Sequence, residues 1–354
     1  MTSVSSVSSK PVAITLGDPA GIGPEIIGKA FRDAPEAARG AFVAGDVATM
    51  RAALQALSAP GHPAWPVVEI ASPAEALDMP PGCVPVMQVI APPVGVVHGR
   101  ISAEAGRAAG DAVVWAARAA LRGEIAAIVT APLHKEALSA AGFPFPGHTE
   151  LLQAEATAHL GRDVAEVPVR MMLANDELRT VLVSIHMSLR HAIEAVTFDG
   201  VLETLRITHH ALSRTLDRAP RIGVAGLNPH AGESGLFGSE EQEIIVPAIA
   251  AARAEGIAAD GPHAPDTVFM RARAKQPGVA DSGEFDVVVA MYHDQGLIPV
   301  KYLGVEKGVN VTLGLPLVRT SPDHGTAFDI AGTGRADASS LIEALRMARA
   351  LAGI

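Results

Sequence analysis

One cysteine, Cys83, is all the sulfhydryl that the 354-residue chain contains, which excludes an internal disulfide framework and suits a reducing compartment. Aromatic residues are scarce at 4%, and the formal charge is -10. A nucleic-acid partner calls for cationic cover over phosphates and for rings on which bases stack, so both figures argue against one. Long hydrophobic runs are missing too: Gly, Pro or a charge interrupts every apolar stretch well before the roughly 20 residues that cross a bilayer. The serine-rich start, residues 1–10, lacks the basic opening and apolar core of a secretory signal and reads as a disordered tail. The expectation is a cytoplasmic protein with neither membrane nor nucleic acid as partner.

What the chain does have is apolar bulk. Hydrophobic residues make up 49% of it and charged residues 19%, enough to bury a large core divided between two lobes. Net acidity does not exclude an anionic small substrate, because local cations and helix N-termini decide that inside a site.

Short β-rich runs at 12–16, 41–44, 124–130, 169–174, 221–225 and 285–291 alternate with helical patterns, notably 103–121, 199–216, 240–254 and 339–351. This alternation predicts an α/β fold, and runs such as Ile222 to Val224 and Val287 to Val289, free of polar side chains, predict strands covered on both faces in a largely parallel sheet. The Pro- and Gly-rich stretch 58–99 reads as irregular surface.

Polar clusters follow four of these strands, where open α/β sheets place ligands: TAPLHK at 130–135, His186, NPHAGE at 228–233 and YHDQG at 292–296. Neutral imidazole is a good ligand for Zn²⁺, Co²⁺ and similar ions, so His186, His230 and His293 form a candidate metal triad. Each alone is more often a structural or hydrogen-bonding histidine, and only the shared strand-end context favours the triad. A bound cation is useful to an alcohol dehydrogenase because it stabilises the oxygen as its proton leaves. Three histidines with an anion pocket also suit a metal-dependent hydrolase.

Gly147, His148 and Thr149 open a predicted helix whose free amides suit a carboxylate or phosphate, the alternative being an ordinary cap by Thr149. Lys301, Asn310 and Arg319 lie in an otherwise apolar region, and Arg favours multidentate anion recognition. Lys301 is a candidate general base if buried, and Asp266 or Asp294 a candidate for relaying the proton or orienting a ligand. The glycine-rich GDPAGIGPE at 17–25 lacks the G-x-G-x-x-G spacing and predicts a tight strand-to-helix turn. DHGTAFD at 323–329 carries small residues that allow a cofactor to approach the backbone.

Together GDPAGIGPE, TAPLHKEAL (130–138), FPGHTE (145–150), GLNPHAGE (226–233), MYHDQG (291–296) and GVNVTLGLPLVRTSPDHGTAFDIAGTG (308–334) resemble, in the same order, the family of 4-hydroxythreonine-4-phosphate dehydrogenases. The resemblance implies a two-lobed fold like that of isocitrate and isopropylmalate dehydrogenases, with a cleft between lobes expected at 11–131 plus 316–354 and at 132–315. It implies a homodimer with a shared active site, NAD or NADP as cofactor, and one divalent metal per subunit, Zn, Mg or Co. By the same likeness His186, His230 and His293 bind the metal, one of them across the dimer. His148, Thr149, Lys301, Asn310 and Arg319 bind a small phosphorylated hydroxy amino acid, and His324, Gly325 and Asp329 the cofactor. The implied reaction oxidises C3 of 4-phosphohydroxy-L-threonine to a β-keto acid, which decarboxylates to 3-amino-1-hydroxyacetone phosphate. A sister group with the same framework acts on phosphorylated threonate or erythronate.

Overall fold

The computed structural model describes residues 10–58, 62–275 and 282–354, so residues 1–9 of the expected tail lie outside the described residues. In chain order the strands are β1 (Val12–Thr15), β2 (Ala41–Gly45), β3 (Val67–Glu69), β4 (Val84–Gln88), β5 (Ala127–Thr130), β6 (Arg170–Ala174), β7 (Arg179–Leu182), β8 (Ile222–Ala225), β9 (Ala259–His263), β10 (Val287–Ala290), β11 (Val309–Leu313) and β12 (Arg319–Pro322). By contacts the chain divides into two units, the first running to Val167 and resuming at Leu315, the second spanning Pro168–Gly314.

In the first unit the strands run in the order β3-β4-β2-β1-β5-β12, every adjacent pair parallel. Every residue of β1, β2 and β5 is buried, which is why these runs are continuously apolar or small. Full burial contributes roughly 1.5–3 kcal/mol for each large aliphatic side chain, such as Ile14 or Ile128, relative to exposure. The chain leaves β1 for β2 on one side and returns to β5 on the other, so the carboxyl ends of β1 and β5 flank a topological switch point, the usual ligand crevice of an open α/β sheet. Two of these strands, β3 and β4, fall inside 58–99. The irregular surface expected there is interrupted by short valine pairs next to proline, too brief to show an alternating pattern.

Residues 132–167, expected with the second lobe, group with the first unit. The physical reason lies in the helix Ala103–Leu121, capped by Ser102, whose Oγ accepts from Ala105 N–H at 3.2 Å. A Cβ at Gly106 would stand 1.9 Å from the Ala137 carbonyl oxygen, and one at Gly110 would stand 2.4 Å from the Phe143 ring. Only glycine at these two places lets the segment around 135–143 pack this closely against the helix.

The second unit has the order β11-β6-β7-β10-β8-β9, with β6 antiparallel to both neighbours and the remaining pairs parallel. Asp286, just before β10, pins the amino ends of this sheet. Its buried carboxylate accepts from Arg218 Nη1 (2.7 Å) and Nη2 (2.9 Å), from Arg221 Nη2 (2.7 Å) and from the Arg221 backbone N–H (2.7 Å). Burial alone would push this carboxyl up, but the hydrogen bonds from Arg218 and Arg221 outweigh it and hold the group below the usual carboxylate range. A depressed folded pKa contributes stability that is complete above the unfolded value near 3.8 and is lost as pH falls below it. Asp286→Asn is therefore expected to cost about 1–2 kcal/mol at neutral pH, the low end because both guanidinium groups remain partly solvated, and to flatten the acid limb of stability. Urea midpoints at neutral pH and below pH 4 read both effects; unchanged midpoints would remove this anchor.

Among the described residues no helix is long and apolar enough to cross a membrane.

Candidate active site

With their amino ends anchored, β7, β10 and β8 present their carboxyl ends together, and the loops that follow carry His186, His293 and His230. Hydrogen bonds from Ser184 and Gln295 tie these loops. Ser184 Oγ donates to the Met291 carbonyl at 3.0 Å, and Gln295 accepts from Met291 N–H at 2.7 Å while its Nε2 donates to the Gly226 carbonyl at 2.8 Å. Gln295 thus joins the loop of His293 to the loop of His230.

The His186 and His293 rings lie with centroids 5.7 Å apart and planes tilted by 46°. His293 Nδ1 contacts Asp294 Oδ1 at 2.7 Å. A carboxylate on one ring nitrogen fixes the tautomer and turns the other nitrogen toward a ligand, the usual support of a metal-bound histidine. Two neighbouring imidazoles, one so supported, fit a divalent cation. The third expected ligand does not join them: among the described residues, no group of three or more His, Cys, Asp or Glu side chains could hold a metal ion.

His230 sits instead on an exposed, unusual loop. His230, Ala231, Gly232, Glu233 and Ser234 all have positive φ, from 42° to 78°, a left-handed turn. Each L-residue there costs about 1–2 kcal/mol relative to right-handed backbone, and such strain persists only where neighbouring structure enforces it.

The first unit holds a second polar cluster. β12 places Arg319 beside β5, where Nε and Nη2 donate to Thr130 Oγ1 at 3.1 and 2.7 Å. Arg319 is 5% exposed, and burial pushes its guanidinium down to about 10, so it stays charged at neutral pH. His148 begins the helix His148–Leu160. Burial first, and the charge of Arg319 second, push its imidazole well below the ordinary range, so it is neutral at pH 7 despite a hydrogen bond with the Ala131 backbone that opposes the shift. Its Nε2 is sealed from solvent without a hydrogen-bond partner. Gly147 occupies the helix N-cap, with no side-chain cap, so Thr149 is not the cap and the first-turn amides keep their capacity for an anion. A fixed guanidinium, a neutral imidazole and a helix N-terminus are groups whose chemistry suits a phosphate or carboxylate.

At the switch point Asp18 is fully buried; its N–H donates to the Pro132 carbonyl at 2.9 Å and its Oδ1 accepts from Ala20 N–H at 2.8 Å. Burial pushes this carboxyl up. The loop expected to contact the cofactor adjoins this region: Ile22 N–H donates to the Thr326 carbonyl at 3.0 Å, and the His134 ring stacks on Phe328 at 4.9 Å. His324, Gly325 and Asp329 are all exposed, and a Cβ on Gly325 would meet nothing within 4 Å, so its backbone can be approached. Nearby lies a cavity of about 260 Å³, lined by Gly21, Pro24, Leu57, His98, Gly332 and Gly334 among others.

The other expected residues belong to the second unit. Asn310 is half-buried on β11 opposite Leu173, Lys301 is exposed in the last turn of the helix His293–Tyr302, and Asp266 is exposed before the helix Val268–Ala272. One chain alone does not bury Lys301 or Asp266 as a general base near neutrality requires. Thr130, Gln295 and Glu241 were not singled out by sequence reasoning. Thr130 and Gln295 lie within quoted motifs, but only their partners across the sheet give them a role.

A family model described as pyridoxal phosphate biosynthetic protein PdxA matches residues 37–348. A 4-hydroxythreonine-4-phosphate dehydrogenase of Beijerinckia indica is 53% identical over 339 residues, covering 94% of this chain and 92% of the relative. A D-threonate 4-phosphate dehydrogenase of Salmonella typhimurium is 45% identical, covering 98% of this chain and 100% of the relative. The crystal structure of 4-hydroxythreonine-4-phosphate dehydrogenase from Klebsiella pneumoniae matches with a TM-score of 0.83 at 41% identity, over 97% of this chain and 100% of that one.

Proposed function

The chain belongs to the PdxA family of pyridoxal phosphate biosynthetic proteins and is an oxidoreductase, and from that premise we propose that it oxidises C3 of 4-phosphohydroxy-L-threonine with NAD or NADP. The observation that carries the substrate class is the buried Arg319, held by Thr130 beside neutral His148 at a helix N-terminus, a site built for an anion. His148, Thr149, Lys301, Asn310 and Arg319 are the residues read as binding the substrate. His324, Gly325 and Asp329 would hold the cofactor, which would supply a nicotinamide ring as hydride acceptor.

His186, His230 and His293 hold one divalent metal per subunit, Zn, Mg or Co, and a homodimer brings the third imidazole from a second copy of the chain. The cation, when bound, stabilises negative charge on the alcohol oxygen. Asp294 keeps the His293 ring oriented. As hydride leaves C3 the hydroxyl proton passes to a base, for which Lys301 and Asp266 are the candidates. The product carries a ketone β to its carboxylate, so loss of CO₂ is favourable and gives 3-amino-1-hydroxyacetone phosphate.

The 45% identical relative named for D-threonate 4-phosphate keeps a second substrate in view, one that differs at C2 by hydroxyl for amine. A panel of 4-phosphohydroxy-L-threonine, D-threonate 4-phosphate and D-erythronate 4-phosphate, each with NAD and NADP, decides between them. The expected result is the highest kcat/KM for the amino substrate. A higher value for threonate would move the chain to the sister activity.

A further inference from the structure

The loop that carries His230 is gripped by one buried carboxylate. Glu241, 2% exposed, opens the π-helical turn Glu241–Ile245. Its Oε1 accepts from the N–H groups of Leu227 and Asn228, each at 2.7 Å, and its Oε2 accepts from Asn228 Nδ2 at 3.0 Å. The left-handed turn is pressed against the same group: a Cβ on Gly232 would stand 2.6 Å from Oε2, and one on Gly226 3.1 Å from Oε1. The hydrogen bonds of this carboxylate thus go to donors just before His230, and its second oxygen braces the backbone just after. Burying a charge is costly unless it is fully hydrogen-bonded, and a packing role would be served by an apolar side chain. The π turn, which inserts a residue into the helix, re-aims the side chains on it, a device frequent at functional sites.

We propose that Glu241 is a positioning residue whose carboxylate holds the left-handed turn at 230–234 and so presents the His230 imidazole to the divalent metal. This rests on the reading of His230 as a metal ligand. Glutamine at 241 keeps one acceptor oxygen but turns an amide N–H₂ toward the Asn228 N–H₂ and the Gly232 Cα, so the grip is lost with little change of volume.

The test uses the full-length protein, stripped of metal and titrated with Co²⁺, as wild type, Glu241→Gln, His230→Ala and the double variant. Glu241→Gln is expected to weaken Co²⁺ binding about 10–100-fold, with an unchanged far-ultraviolet spectrum and cooperative melting. The double variant is expected to bind no worse than His230→Ala. An equal additional loss in the double variant would show that Glu241 acts apart from His230, and unchanged affinity in Glu241→Gln would equally overturn the proposal. If the glutamine variant melts early, Glu241→Asp, which keeps the charge but falls a methylene short, is expected to give the same loss of Co²⁺ affinity. Hydrogen exchange in the metal-free protein reads the grip separately: the Leu227 and Asn228 amides are expected to exchange at least about tenfold faster in Glu241→Gln than in wild type. His230→Ala that keeps full Co²⁺ affinity would overturn the ligand reading and with it the purpose of the grip. Unchanged exchange while His230→Ala loses metal would overturn the grip alone.

Discussion

Arg319→Ala is expected to raise KM for 4-phosphohydroxy-L-threonine by about ten- to a hundredfold, with a smaller change in kcat. Hydrogen bonds to a charged group contribute about 1.5–3 kcal/mol, and each 1.4 kcal/mol is a factor of ten in binding. Arg319 meets the conditions for the upper part of that range: it is 5% exposed, and two bonds to Thr130 Oγ1 fix the plane of its guanidinium. Lysine is expected not to restore affinity, because a point charge on a flexible stem cannot reproduce the planar fork or reach Thr130 in the same way. Thr130→Val, which frees the guanidinium to turn but keeps its charge, should give a smaller increase of the same kind. Steady-state kinetics at saturating cofactor separate KM from kcat, and a wild-type KM in Arg319→Ala would remove this residue from substrate binding.

His293→Ala is expected to lose bound metal and at least about a thousandfold in kcat/KM. A cation bound at the reacting oxygen would be worth several kcal/mol of barrier, and about 4 kcal/mol is a thousandfold in rate. His293 is the best supported of the three donors, with its ring 5.7 Å from that of His186 and its Nδ1 held by Asp294. Asp294→Asn should lie between wild type and His293→Ala, weakening the metal about 10–100-fold by loosening the ring without removing it. Metal content after dialysis, measured beside the rate, checks both variants. Full metal content in His293→Ala would end its assignment as a ligand.

Those two sites differ in how far they could be read from residue order alone. Histidines at the ends of apolar runs stand out, because a parallel strand buried on both faces is continuously apolar and a polar residue marks where it emerges. The helix Ala103–Leu121 was equally legible from its alanine-rich body. β12 was not: Arg319, Thr320, Ser321 and Pro322 form no apolar run, yet every one of them is buried, and the strand is held by pairing with β5 that no local pattern announces. β9, with Gly261 and Pro262 inside it, was hidden for the same reason. The grouping of 132–167 with the first unit turns on the tight approach that Gly106 and Gly110 permit, a tertiary fact. Thr130, Gln295 and Glu241 matter through the backbone or side chains they hold across the fold, and their own positions carry no periodic or spacing signal.

Oxidation of a phosphorylated hydroxy amino acid by a metal-supported dehydrogenase is tested by following reduced nicotinamide, CO₂ and inorganic phosphate together. The protein is stripped with a chelator, given 4-phosphohydroxy-L-threonine and NAD or NADP, and assayed before and after a divalent metal is restored. Reduced nicotinamide and CO₂ are expected in equal amounts only after the metal returns, with no phosphate released. Phosphate release without reduction of nicotinamide, or an undiminished rate in the stripped protein, would contradict it.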